Sequence, residues 1–177
     1  MFTKLGDDGK TTLFHCDQRL SKSSVIAEAL GTLDELNSFL GICRAKANVD
    51  KNSELAEQVL LIQNDLFVIQ ASLGGADKNI GAERVERLEA EINKIEKEIP
   101  PIKNFVISGG NEIIAKLDYA RTLARKAERR VVSVQDEGKV VVQKNTLSYL
   151  NRLSSFFFAL SRQNAYKSGI SEESPKY

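Results

Sequence analysis

From residue 23 onward apolar side chains recur at i, i+3 and i+4 with little interruption, the spacing of helices that each bury one face. Segment 23–47 carries Val25, Ile26, Leu30, Leu33, Leu36, Leu40 and Cys43. Segment 52–74 carries Leu55, Val59, Ile62, Leu66, Ile69 and Leu73, and segment 82–98 carries Val85, Leu88, Ile92 and Ile95. Pro100-Pro101 ends the third segment and Gly109-Gly110 stands just before the next. Two further long helices are predicted over 111–136 and 143–168. Helices of about 25 residues reach roughly 38 Å. With short polar joints between them, the economical arrangement is all-α, an antiparallel five-helix bundle. Residues 1–22 are polar, basic and glycine-containing and fall outside the periodic pattern.

Three of these helices depart from plain amphipathicity. Along 111–136, stepping about 100° per residue, Ile113, Ala120, Ala124, Ala127 and Val131 share a stripe with Ile114, Leu117 and Val132. Arg121, Arg125 and Glu128 fall among the latter, whereas Lys126 and Arg130 fall on the solvent side. Charges directed into or along a packed face need pairing or a ligand, so the trio is either a structural ion network or an anion site. Along 23–47, Asp34 lies in a stripe of small residues, Ala27, Gly31, Ser38, Gly41 and Ala45. Glycine inside a helix costs about 1 kcal/mol relative to alanine, so a tight crossing with Asp34 paired to an arginine, a ligand site, or both would account for them. The helix 143–168 is apolar nearly all round, with Leu147, Leu150, Leu153, Phe156, Phe157, Phe158 and Leu160. It therefore predicts cover on more than one side, supplied by subunit association, and makes Asn151 a buried amide in need of partners.

Composition narrows the chemistry. The 177 residues, 42% apolar and 28% charged, suit one domain over 1–177, and a chain of this length buries roughly 70% of its unfolded surface without staples. With 25 Lys and Arg against 24 Asp and Glu, the net charge of +1 offers no long-range attraction for nucleic acid or anionic membrane. Cys16 and Cys43 lack the short spacing of a redox pair or zinc site, and no segment has signal-peptide or membrane-span character, so a cytoplasmic protein is expected. His15 is the only histidine. That excludes His-rich zinc hydrolases, ExxH di-iron bundles and serine-type triads with their attendant groups. The N-terminal TKLGDDGKTT has glycines, lysines and hydroxyls suited to a polyphosphate but is not the Walker pattern. Read alone, it is a phosphate loop or a frayed terminus.

TKLGDDGKTT, RLSK at 19–22, ALGTLDELNSFLG at 29–41, LIQNDLF at 61–67, FVISGG at 105–110, ARTLARKAERR at 120–130 and YLNRLSSFFF at 149–158 occur in an order and spacing that resemble the PduO-type ATP:cob(I)alamin adenosyltransferases. The resemblance implies a homotrimer of five-helix bundles with active sites between subunits, taking ATP and cobalamin as substrates with Mg²⁺. It implies that Thr3, Lys4, Gly6, Asp7, Gly9, Thr11, Thr12 and Lys22, in an N-terminal ATP-binding loop over 1–22, grip the phosphates. Arg125, Glu128 and Asn151 would complete the nucleotide site, Asp34 and Arg121 would bridge the subunit boundary, and Phe105 would press on the lower face of the corrin. A cob(II)alamin reductase and a cobalamin-dependent acceptor enzyme are the implied partners, with no role for nucleic acid or membrane.

Two departures stand out. The family's usual LPGG reads Ile107-Ser108-Gly109-Gly110, and its usual RLSD reads Arg152-Leu153-Ser154-Ser155. Lys126 also replaces a common arginine. Two readings of another class compete: a non-catalytic ATP or corrinoid sensor or carrier on the same fold, and a helical nucleic-acid module using Arg121 to Arg130. The neutral net charge disfavours the second.

Overall fold

The computed structural model describes residue 2, residues 4–13 and residues 19–177. Five helices follow the periodic segments closely: α1 (Val25–Val49), α2 (Ser53–Leu73), α3 (Ala82–Glu98), α4 (Glu112–Glu137) and α5 (Lys144–Lys167). Local chemistry sets their ends. The side chains of Ser24, Asn52 and Asn111 accept from Ala27, Leu55 and Ile114 amides at the starts of α1, α2 and α4. Gly138, with φ of 72°, closes α4 in the left-handed region that other residues avoid.

The N-terminal region is more ordered than its polarity suggests. Lys10–Thr12 (β1) pairs antiparallel with Arg19–Ser21 (β2), with Thr11 opposite Leu20. A three-residue ribbon is too short to show the alternating pattern by which strands are read from sequence.

In the bundle α4 lies against both α1 and α5, α1 against α2, and α3 against α5. Joints of three residues between α1 and α2 and of six between α4 and α5 force those neighbours to run antiparallel. The core runs through Leu33, Leu36, Leu40, Leu66, Ile69, Leu117, Ala124, Tyr149, Leu153 and Phe157, all fully buried. One buried carboxylate, Asp65 of α2, joins three helices. It takes hydrogen bonds from Arg84 and Arg87 of α3 and, at 2.7 Å, from the Tyr149 hydroxyl of α5. Burial and the neighbouring Asp65 charge push the Tyr149 phenol well above its ordinary value, so it stays a donor.

The cover of α5 corrects one expectation. Leu150, Leu153, Phe156, Phe157 and Leu160 are all buried within a single chain, because α5 is clasped between α3 and α4 with the Asp65 hub beside it. Leu147 and Phe158 remain half-buried, so most but not all of the apolar girth of α5 is shielded within one chain. Exposed apolar side chains on the helices are Ile42 and Val49 on α1, Leu60, Leu61 and Phe67 on α2, Val132 and Tyr119 on α4, the latter ring edge-on to Phe39 at 4.9 Å, and Tyr166 near the end of α5. None of the helices is long and apolar enough to cross a membrane.

Candidate functional site

The N-terminal loop is held by two charged anchors. Asp8 receives both ends of the Arg19 guanidinium, at 2.8 and 2.9 Å, and the Lys10 amide at 3.1 Å, while Arg19 also donates to the Leu5 carbonyl. Desolvation alone would raise the Asp8 carboxyl, but the Lys10 amide and Arg19 outweigh it and hold the group below its ordinary value. Lys22 donates from Nζ to the Gly6 carbonyl at 2.7 Å, and its amide bonds the Gly9 carbonyl at 2.9 Å. Between these anchors the chain turns tightly, with Asp7 and Gly9 amides bonded to Lys4 and Gly6 carbonyls. Gly9 has φ of 76°, where a side chain would be strained, and Lys4 tolerates 60°.

Lys4, Gly6, Asp7, Gly9, Thr11, Thr12 and Lys22 are thereby gathered around one turn and ribbon, most of them exposed. Thr3 lies outside the described residues, as do His15 and Cys16. The Asp8–Arg19 clamp that shapes it was not singled out from sequence, although both residues stand inside the quoted motifs.

A second polar cluster spans α3, α4 and α5. Asn151 donates to Glu128 at 2.8 Å and accepts from Arg152 at 2.8 Å, and Arg152 reaches Glu89 of α3 at 2.8 Å. Asn151 is exposed, not the buried amide expected from the apolar character of α5, because it points out along the α4 seam. Arg125 is exposed too, rather than directed into the packed face. Its offset from the apolar stripe and its long stem carry the guanidinium to water. Among the described residues it has no hydrogen-bond or ion-pair partner. Lys126 and Arg130 lie toward solvent, as their angular positions predict, and there they tie α4 to α1 through Glu35 at 2.6 Å and Glu28 at 3.5 Å. The structural ion network therefore belongs to the opposite pair of charges, and Arg125 is left available.

Arg121 is half-buried, and its Nε is sealed from solvent without a partner. It lines a cavity of about 280 Å³ at the bundle end, together with Asp118, Phe158, Ser161, Arg162 and the backbone of Ile107 to Gly110. Asp34 lies in the small-residue stripe of α1, and the stripe faces outward: Gly31, Asp34, Ser38 and Ala45 are exposed. Among the described residues no crossing explains the glycines. A Cβ at Gly31 would meet nothing within 4 Å, and one at Gly41 would make only an ordinary contact at 3.8 Å.

Phe105 lies on the α3–α4 connection and is 78% exposed. It borders an open apolar recess with Ile102, Pro175 and Tyr177. A ring anchoring its loop to the bundle would be buried, so that reading does not describe it. Among the described residues no hydrogen bond joins the N-terminal loop to Arg125, Glu128 or Asn151, and none joins Asp34 to Arg121. One chain thus presents the expected site as separate clusters.

Comparison with known proteins bears on what these clusters serve. A family model described as cobalamin adenosyltransferase matches residues 1–164. A corrinoid adenosyltransferase of Bacillus subtilis (strain 168) is 37% identical over 97% of this chain and 90% of its own length. Corrinoid adenosyltransferase PduO of Citrobacter freundii is 38% identical over 92% of this chain, which spans about half of that relative, 49%. Among solved structures, a variant PduO-type ATP:corrinoid adenosyltransferase from Lactobacillus reuteri complexed with cobalamin and ATP is similar at a TM-score of 0.92 and 28% identity, with 99% of this chain and 96% of that one covered.

Proposed function

The chain belongs to the cobalamin adenosyltransferase family, and on that premise we propose that it transfers the 5′-deoxyadenosyl group of ATP to cob(I)alamin, giving adenosylcobalamin and free triphosphate. The observation that carries the reading is the family match over the whole helical bundle and the N-terminal loop together. The reaction forms a cobalt–carbon bond as the C5′–oxygen bond breaks, and that bond's electron pair leaves with the triphosphate. Cobalt is the nucleophile, so the protein need not supply a general base, and the dearth of histidine is no obstacle.

The residues of this chain position the substrates and meet the departing charge. In this reading Lys4, Lys22, Thr11 and Thr12 hold the phosphates, Gly6, Asp7 and Gly9 shape the turn, whose Asp7 and Gly9 amides are bonded within it, and Asp8 and Arg19 keep it folded. Thr3 would join them. Arg125 stands ready as an unpaired cation, and Asn151 orients Glu128 toward the nucleotide. Such charge-directed donors are worth most where water is excluded. A Mg²⁺ accompanying ATP would find carboxylates of this chain in Asp7 and Glu128. The ion would neutralise triphosphate charge.

We further propose a homotrimer with each site shared across a subunit boundary. Support comes from the separated clusters and from the outward α1 stripe, whose glycines meet no close neighbour among the described residues. Phe105 would cover the lower corrin face, excluding a lower ligand and favouring a four-coordinate cobalt that is easier to reduce. The same proposal makes the protein cytoplasmic, fed by a cob(II)alamin reductase and delivering to a cobalamin-dependent enzyme. Anaerobic incubation with ATP and chemically reduced cobalamin, followed by the visible spectrum, tests the activity. Adenosylcobalamin with stoichiometric triphosphate is expected. Binding of both substrates without product would instead make the protein a carrier or sensor.

A further inference from the structure

The connection that carries Phe105 has few supports. Residues 100–111 form no helix or strand, and Gly109 and Gly110 have φ of 127° and 117°, conformations open to glycine but strained for other residues. Position 108 is serine, so no pyrrolidine ring fixes the turn. Two hydrogen bonds reach residues 102–110 from outside. The Ile107 amide donates to the Glu173 carbonyl at 2.8 Å, an anchor that is itself on the exposed C-terminal segment. The Gly109 amide donates to Oδ2 of Asp118 at 2.9 Å.

Asp118 is the support rooted in the bundle. It lies on α4 and is 8% exposed, and its other oxygen, Oδ1, accepts from the Ser161 hydroxyl of α5 at 2.9 Å. Both donors are neutral, although burial of a carboxylate ordinarily calls for a cation. An apolar residue in this place would pack at no such cost, so packing alone does not account for the aspartate. A carboxylate does supply a bond to an amide that is stronger than a neutral acceptor provides.

We propose that Asp118 is a positioning residue for adenosyl transfer: by clamping the Gly109 amide to α4 and α5, it fixes the loop that presents Phe105 to the corrin. This rests on the reading of Phe105 given above. Gly109 is four positions beyond Phe105, and Ile107 between them is tied to the exposed C-terminal segment, so without the clamp this stretch keeps no hydrogen bond to the bundle among the described residues and the ring gains freedom. Displacement of about 1 Å costs roughly a hundredfold in a positioned reaction. The nucleotide groups lie on α4, α5 and the N-terminal loop and gain nothing from the clamp.

The test compares Asp118→Ala, Asp118→Asn and Ser161→Ala with the unaltered protein. Asp118→Ala is expected to lower the rate with enzyme-bound cob(II)alamin about tenfold to a hundredfold and to diminish the four-coordinate cob(II)alamin signal in paramagnetic resonance, with KM for ATP unchanged. Asp118→Asn keeps an oxygen for the Gly109 amide and should recover most of the signal, and Ser161→Ala, which removes the α5 side of the clamp and leaves Oδ1 without its donor, should fall between Asp118→Ala and the unaltered protein. Parallel losses in ATP and corrinoid parameters that track the fall in Tm would overturn the proposal, as would an unaltered cobalt signal in Asp118→Ala. Should the unaltered protein make no adenosylcobalamin, the functional reading fails by itself. Amide exchange at Gly109 then decides the clamp: faster exchange in Asp118→Ala supports it and equal exchange refutes it.

Discussion

Arg125→Ala separates binding from folding with unusual clarity, because the guanidinium is exposed and partnerless among the described residues. Its removal strands no buried group. Alanine is at least as good a helix former as arginine, so stability should move by no more than about 0.5 kcal/mol. For a chain of this size that is a Tm shift of roughly 2 °C or less. If the guanidinium meets the departing triphosphate, the loss in the transition state is about 2–4 kcal/mol, which lowers kcat/KM for ATP by roughly 30- to 1,000-fold. Arg130→Ala is the matched control. It removes the same charge from the same helix, and its surface pair with Glu28, 3.5 Å apart with both side chains about half exposed, is worth at most about 1 kcal/mol. Steady-state rates with free cob(I)alamin at several ATP concentrations, beside thermal melts, decide between them. Equal losses in both variants would mean a general field of positive charge and no specific contact. Unchanged kinetics in Arg125→Ala would reduce the residue to a solvated surface charge.

Phe105→Ala should leave Tm intact, since the ring is already exposed; it should slow turnover of enzyme-bound cob(II)alamin far more than turnover of free cob(I)alamin, and equal slowing would refute the redox role. The Asp8–Arg19 pair should hold the N-terminal loop at every pH above the ordinary aspartate value of 3.8 and release it only as pH falls through the lowered value of the folded state. The KM for ATP should thus be insensitive to this group from neutrality down to about pH 5, whereas Arg19→Ala raises KM at all of them; an unchanged KM in that variant would remove the loop from ATP binding. Gly31→Ala should stabilise an isolated chain by up to about 1 kcal/mol, there being open space at its Cβ. Gly31→Leu should break the oligomer in sedimentation, and an intact trimer in that variant would take the α1 stripe out of the interface.

The helices were legible because each is long and its apolar spacing repeats over several turns. The predicted starts and stops fall within two residues of the observed ones, since serine, asparagine and glycine stand where caps require them. The ribbon at Lys10–Thr12 was not legible: three residues carry no period, and its stability comes from Asp8 reaching Arg19 across 11 positions. Side-chain direction on α4 was only partly legible. Angular position placed Arg121 and Glu128 at the edge of the apolar face, where both are half-buried, but it could not say which long side chains would bend to water or which would find α1. Asp118 escaped notice because an aspartate one turn before an arginine reads as a helix-face pair, and its true donors come from a loop and from α5. The apolar girth of α5 was visible, yet its cause was mistaken, since pattern alone cannot tell whether a third helix of the same chain or another subunit provides the cover.

That last distinction bears on where function is built. A core helix mostly satisfied within one chain leaves assembly, if the proposed trimer forms, to other surfaces, and the outward stripe of α1 offers small residues and one acid. Small residues contribute little burial, so they suit an interface whose closeness serves geometry more than adhesion. Guanidinium groups left without partners among the described residues, as Arg125 on α4 is, then belong to the same economy. A protein that satisfied them internally would hold them in place at the cost of their reach, because a guanidinium already paired to a carboxylate has little field left for a triphosphate. Leaving them open, on a bundle made rigid by the Asp65 hub and the apolar core, keeps charge preorganised for a ligand that arrives with charge of its own.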